Sequence, residues 1–286
     1  MTSASTPAVV TIRPRSGWVT LGLLELWRHR ELVGLLAARD VQVRYKQSLL
    51  GAAWALLQPL AMLAVFTGLF GALLAAERMP TAPGVPYGVS TFCTLVIWQL
   101  FARAVTAGAD SLVVNQAIVT KVYLPRLAIP LAPVLASLVD FALGSVVLTA
   151  MLAWYGIAPS GVALILPALV LLALAAALGT ALWLAAVNAL YRDVRLALPF
   201  AVQIWMLVTP VVYTASSVLT GRPQWFVTLY AWNPMAGIVE AFRFALVGGA
   251  SAPWHMLACS AASTAVLLVS GLVVFRRLEC VFADRV

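Results

Sequence analysis

Between Leu49 and Ala76 the chain carries no charged residue. That run is longer than the ~20 apolar residues a helix needs to cross the hydrocarbon core of a bilayer. Arg39, Arg44 and Lys46 stand directly before it. A basic, half-apolar segment therefore turns without a linker into a membrane span, with its cationic end held at the lipid headgroups.

The rest of the chain fits the same setting. Of 286 residues, 63% are hydrophobic and 10% charged, and the mean hydropathy is +0.99. The 18 basic and 10 acidic residues are too few to cover the surface of a soluble domain of this size. The net charge of +8 sits beside apolar spans, so it speaks for anionic headgroups rather than for nucleic acid. Cys93, Cys259 and Cys280 lack paired spacing, and His29 and His255 are isolated, so no zinc, haem or iron–sulfur pattern and no metal site is expected. Met1 to Trp18 lacks the apolar core of a secretory signal, so the first span is expected to direct insertion.

The expected fold class is an all-α integral membrane protein with six spans. Residues 1–20 read as a disordered cytoplasmic tail, 21–48 as one or two amphipathic interface helices, 49–275 as the transmembrane domain and 276–286 as a cytoplasmic tail. A soluble helical hairpin is the alternative for the interface segment. The spans are placed at about 49–76, 87–109, 127–155, 162–190, 196–219 and 254–275. Pro59 suggests a kink in the first, and the fifth holds Pro199 and Pro210. Asp110 to Arg126 reads as a polar loop and Gly156–Gly161 as a tight turn. Thr220–Pro253 has apolar runs too short to cross, so short re-entrant or interfacial helices are expected there. With the N-terminus inside, outer segments hold only Arg78, Arg222 and Arg243 among the basic residues. The positive-inside rule then puts both termini in the cytoplasm.

The chemistry is sparse. Neither lysine, Lys46 or Lys121, sits in a phosphate-cradling glycine loop, so this chain cannot hydrolyse nucleotides in the usual way by itself. No nucleophile–base set and no pair of carboxylates within one span is present. Arg103 and Asp140 lie inside spans two and three, where ionised groups are costly. One reading pairs them across the spans. The other lets Arg103 snorkel to the inner headgroups while Asp140 bonds a neighbouring helix. Phe66, Phe70, Trp205 and Tyr213 are candidates for an aromatic lining that would suit sugar faces, although rings also face lipid or pack in the bundle.

Six segments in order carry a resemblance. They are Arg39-Asp-Val-Gln-Val-Arg-Tyr-Lys-Gln-Ser-Leu-Leu-Gly-Ala-Ala-Trp-Ala-Leu-Leu-Gln-Pro-Leu; Asn115-Gln-Ala-Ile-Val-Thr-Lys-Val-Tyr-Leu-Pro-Arg126 with Ile129-Pro-Leu; Tyr191-Arg-Asp-Val-Arg195; Thr209-Pro-Val-Val-Tyr213; Asn233-Pro with Ile238-Val-Glu-Ala-Phe-Arg243; and Arg276-Arg-Leu-Glu-Cys-Val-Phe-Ala-Asp284. From about Leu21 onward the chain resembles ABC-2 type permeases that export polysaccharides: the O-antigen, capsule and wall teichoic acid exporters.

The resemblance implies a path formed by two copies of the chain, with two separate ATPase subunits docked on the cytoplasmic face. ATP and Mg would be bound by those subunits, with no cofactor on this chain. Asn115, Lys121, Tyr123 and Arg126 match one coupling loop; Arg192 and Asp193 match the other. Simple headgroup anchoring would also explain Lys121, Arg126 and Arg192. Glu240 and Arg243 fall in an external gate segment, where a local salt bridge is the plain reading. Arg39, Arg44 and Lys46 would meet the headgroup of a lipid-linked polysaccharide entering from the bacterial inner membrane. A drug or lipid exporter of the same superfamily, and a membrane enzyme acting on polyprenyl-linked glycans, are the alternatives.

Overall fold

The computed structural model describes residues 23–46, 53–73, 84–117, 124–191, 193–249 and 252–285. The expected N-terminal tail therefore lies outside the described residues. Among the described residues every regular element is helical. Two helices, α1 (Leu23–Arg28) and α2 (Arg30–Lys46), precede α3 (Ala53–Leu73). Then come α4 (Tyr87–Val114), α5 (Ala128–Trp154) and α6 (Leu166–Asn188), the last entered through a 3-10 turn at Ala163–Ile165. The second half holds α7 (Asp193–Val208), α8 (Ala215–Leu219), α9 (Gln224–Ala231), α10 (Ala236–Val247) and α11 (Trp254–Arg285).

Helix α4 is the axis of the bundle. It touches α3, α5, α6, α7 and α10. Phe92, Leu95, Ile97, Trp98, Leu100 and Phe101 are buried along nearly its whole circumference. A helix apolar on all sides is stable only where other helices or lipid surround it. The outer helices divide their faces instead: Val146 of α5, Leu171 of α6 and Val266 of α11 are exposed. Four helices are long and apolar enough to cross a membrane: Tyr87–Val114, Ala128–Trp154, Ala163–Asn188 and Trp254–Leu278. Helix α3 has a shorter apolar stretch, Leu56–Leu69, and α7 has 16 residues.

Several boundaries differ from the sequence reading. Asp110 does not open a loop, because α4 continues to Val114. Its carboxylate accepts from Asn188 Nδ2 at 3.0 Å and lies 3.7 Å from Arg195, so a polar residue is satisfied without breaking the helix. The fifth span does not run unbroken from Leu196 to Leu219. Helix α7 stops at Val208, one residue before Thr209-Pro210, and Pro210 can neither donate a backbone bond nor clear the preceding turn. The last helix continues past Phe275 to Arg285. The turn after α5 forms where expected, with Gly156 at φ +65°.

Small residues let α6 and α11 approach closely. A Cβ on Gly179 would fall 2.7 Å from the Leu268 backbone nitrogen, and one on Gly271 would fall 2.6 Å from the Gly179 carbonyl oxygen. Close backbone approach of this kind is how helices pack when lipid offers no hydrophobic driving force. Gly179→Val is therefore expected to push the pair apart at a cost of about 1–3 kcal/mol. A thermal-unfolding scan of purified protein checks it, with Leu171→Ala on the exposed face as the substitution that changes little.

Candidate functional site

Three places gather the polar residues of this apolar chain. The first surrounds Asp140, buried halfway along α5. Arg103 of α4 reaches it at 3.0 Å. From α2, Arg44 forms an ion pair with the same carboxylate and the Tyr45 hydroxyl donates to it. Gln58 of α3 accepts from the second nitrogen of Arg103 at 3.0 Å. Three helices thus meet on one carboxylate, and α3 joins them through Arg103.

Arg103 and Asp140 do pair, which was one of the two readings open from sequence. Arg44, expected to meet a lipid headgroup, pairs here with Asp140, a buried carboxylate that binds a cation within reach. Arg39 bonds the adjacent Asp40 at 2.8 Å and donates to Asn115 Oδ1 at 2.7 Å. Lys46 is exposed.

The second place is the end of the bundle near Asn115. Asn115 caps α4 and donates to the Ser111 carbonyl at 2.9 Å, so its link to Arg39 ties α2 to the loop that follows. Arg126 is half-buried just before α5, its carbonyl accepting from Ile129 N. Asp193 is exposed in the first turn of α7, where a carboxylate complements the helix dipole. Lys121, Tyr123 and Arg192 lie outside the described residues. Asn188, Asp110 and Arg195 join the ends of α6, α4 and α7; a sequence reading misses them because each is unremarkable alone.

The third place is the opposite end, where α7 breaks. The break frees carbonyls that must find donors. Arg243 of α10, its side chain 7% exposed, donates to the Pro210, Val211 and Tyr213 oxygens at 2.6, 3.3 and 2.9 Å. Tyr87 takes the Val212 carbonyl at 2.8 Å and Thr94 the Val211 carbonyl at 2.6 Å. Glu240 pairs with Arg243 at 2.7 Å and accepts from Ala215 N at 3.1 Å. Burial pushes the Glu240 carboxyl above the usual carboxylate range, against the pull of Arg243. The expected local salt bridge exists, yet Arg243 does more than close it.

Asn233 adds a second lock on the break. Its Oδ1 accepts from Trp205 Nε1 at 3.0 Å and Met235 N at 3.1 Å, while its Nδ2 donates to Thr209 Oγ1 at 3.0 Å. Trp205 also meets Phe101 edge-on at 5.0 Å. Tyr213 donates to the Leu207 and Val208 carbonyls and pairs with the Tyr230 hydroxyl at 3.2 Å. Phe66 packs against the main core, and the Phe70 side chain lies outside the described residues.

Among the described residues no three His, Cys, Asp or Glu side chains converge as metal ligands. Every polar cluster just described joins helices or satisfies a helix break. The fold is that of a multi-pass helical membrane protein, with four helices long and apolar enough to cross a membrane.

Residues 31–247 match the ABC-2 type transporter family, and the chain belongs to that family. It is 26% identical over 262 residues to the O-antigen export system permease protein RfbA of Myxococcus xanthus, covering 92% of this chain and 98% of that protein. It is also 26% identical over 259 residues to a Klebsiella pneumoniae protein of the same name, covering 89% and 94%. A further K. pneumoniae protein so named is 25% identical over 259 residues.

Proposed function

We propose that the chain is the permease subunit of an ATP-driven exporter of a lipid-linked polysaccharide, O-antigen or a close analogue, in the bacterial inner membrane. The observation that carries this is the near end-to-end similarity to relatives named as O-antigen export permeases. The exporter has two copies of this chain and two separate ATPase subunits that hold ATP and Mg. The absence of a phosphate loop in the sequence supports that division of labour.

Six helices cross the membrane in this reading. Helix α3 and the pair α7–α8 complete the set begun by the four long spans. Helices α9 and α10 form the external gate segment, and both termini are cytoplasmic. The loops holding Asn115, Lys121, Tyr123 and Arg126, and Arg192 and Asp193, receive the motion of the ATPases. The Asn115–Arg39 bond passes movement of the first loop to α2, and the Arg195–Asp110 contact passes movement of the second to α4. The chain itself makes and breaks no covalent bond.

The test is a mild-detergent pull-down of the tagged chain from its native membrane, paired with surface-glycan staining of a deletion strain. A stoichiometric partner with a phosphate-binding loop and loss of surface glycan are expected. A chain that purifies alone from a strain whose deletion leaves the surface glycan intact would refute the reading.

A further inference from the structure

We infer that residues 216–230 form a hinged lid that swings as one body against a fixed α10, with the Glu240 carboxylate as its clasp. The inference rests on the exporter reading only for what the lid covers, the external mouth of the path.

Exposure divides the segment between α7 and α11 in two. Ala215 and Ala231 are buried, and no residue between them is. Trp225 and Leu229, one turn apart on α9, are 67% and 65% exposed. In α10 the pattern reverses: apart from Glu240 and Phe244, every residue from Ala236 to Val247 is buried. A stretch with little burial and exposed backbone is the part of a structure that opens at least cost.

Helix α10 is held by its neighbours on several sides. The turn after α5 binds it through Ser160, whose backbone N and Oγ both donate to the Ala245 carbonyl, at 3.1 and 2.9 Å. A Cβ on Gly237 would fall 2.4 Å from the Met256 carbonyl oxygen, so α10 lies hard against the backbone of α11. Phe242 meets Phe141 of α5 edge-on at 6.3 Å, and Arg243 fills the break in α7.

The lid is tied mostly to itself. Arg222 lies over the Phe226 ring at 5.9 Å, Trp225 meets Phe226 edge-on at 5.9 Å, and Phe226 stacks on Tyr230 at 6.4 Å. Arg222 N donates to the Leu219 carbonyl at 3.1 Å, which joins α8 to the same cluster. The hydrogen bonds from lid to body, among the described residues, sit at its two ends. Ala215 N donates to Glu240 Oε1 at 3.1 Å. At the far end, the Tyr230 hydroxyl pairs with that of Tyr213 at 3.2 Å, and Ser260 Oγ reaches the Ala231 carbonyl at 3.4 Å. The Tyr213 proton already serves carbonyls of α7, so Tyr230 is the donor in that pair.

Glu240 joins the two parts. One carboxylate oxygen takes the Ala215 amide and the other takes Arg243. When the lid lets go, Arg243 keeps the carboxylate on α10. Strong contacts within the lid and few ties at its ends make it open as a unit.

The experiment is hydrogen–deuterium exchange on the full-length chain in phosphatidylcholine nanodiscs, read by mass spectrometry. In the parent, amides of 216–230 are expected to exchange at least about tenfold faster than those of 236–247. Ala215→Pro opens the clasp, because it removes the donor amide and its ring displaces the carboxylate. Proline suits the first position of a helix after an extended residue, and Thr214 is extended. This chain is expected to exchange about tenfold faster across all of 216–230, with 236–247 unchanged. Tyr230→Phe removes the tie at the other end and is expected to speed the same span about threefold; it serves if Ala215→Pro does not fold. Equal exchange of the two segments in the parent overturns the proposal. So does an unchanged rate in the variants, or a faster rate confined to a few residues beside the substitution or shared equally by 236–247. In the complex purified with its ATPases, ATP is expected to raise exchange over 216–230 about fivefold. An unchanged rate there overturns the assignment of the lid to the mouth of the path. The deletion-strain glycan test judges the exporter reading without exchange data, so each can fail alone.

Discussion

Replacing Arg243 with methionine is expected to empty the membrane fraction of this protein. Methionine keeps an unbranched side chain of similar reach but donates no hydrogen bond. The Pro210 and Tyr213 carbonyls would lose the Arg243 donor, and Val211 would keep only Thr94. Each orphaned buried carbonyl costs about 1–3 kcal/mol. Glu240 would also lose its cation, and breaking a buried pair by removing one partner costs about 3–5 kcal/mol. The sum, about 5 kcal/mol or more, matches the whole stability of many proteins. Arg243→Lys is not expected to rescue, because one ammonium cannot span three carbonyls and a carboxylate as a guanidinium fork does. Arg243→Met combined with Glu240→Gln is expected to recover part of the loss, since the stranded charge is gone and the glutamine oxygen still accepts from Ala215 N. Immunoblots of membrane fractions and size-exclusion profiles in detergent check the order: parent first, then the double substitution, then Arg243→Met. A well-folded Arg243→Met chain would mean that the break in α7 does not depend on this side chain.

The contrast between Arg243 and Asp140 shows what the sequence exposes and what it hides. Long, nearly uncharged apolar runs locate α5 and α6 to within a few residues and fix where α4 and α11 begin, because the demand for bilayer-length apolar helices leaves few alternatives. Arg103 and Asp140 stand out for the same reason: a charge inside such a run calls for a partner. Arg44 is harder. Its neighbours Arg39 and Lys46 suggest headgroups, while its actual partner is 96 residues away on another helix. Tyr45 and Gln58 carry no signal at all before the helices are packed. In the second half, Pro210 announces a break, but nothing local says which donors fill it. The i,i+3 spacing of Glu240 and Arg243 invites a local explanation that accounts for only one of the arginine's bonds. Sequence pattern reports how elements meet lipid. It is weaker on which buried polar groups meet one another, since those pairs depend on tertiary approach.

Asn233→Leu is the second substitution with a large expected effect. Asn233 is the point where three segments exchange hydrogen bonds: α7 through Trp205, the break through Thr209, and the start of α10 through Met235 N. Its own carbonyl accepts from Ser260 of α11 at 2.8 Å, and Ser260 in turn accepts from Gly237 N at 2.9 Å. Leucine is nearly isosteric, so little of the loss would come from volume. The Trp205 indole N–H and the Met235 amide would both be stranded in a half-buried site, at about 1–3 kcal/mol each. Thr209 can still donate to the Trp205 carbonyl, so it suffers least. The expected total is about 3–5 kcal/mol, seen as a drop in the unfolding midpoint and in yield. Asn233→Asp separates hydrogen bonding from shape. Its oxygens can accept from Trp205 and Met235, and the Thr209 hydroxyl can turn to donate. The penalty is a partly buried negative charge, so the aspartate chain should lie between the parent and Asn233→Leu and should gain stability as pH falls through the raised carboxyl titration. Leucine shows no such pH response. Equal stability of the leucine and parent chains would leave the lock on the break to Arg243, Tyr87 and Thr94.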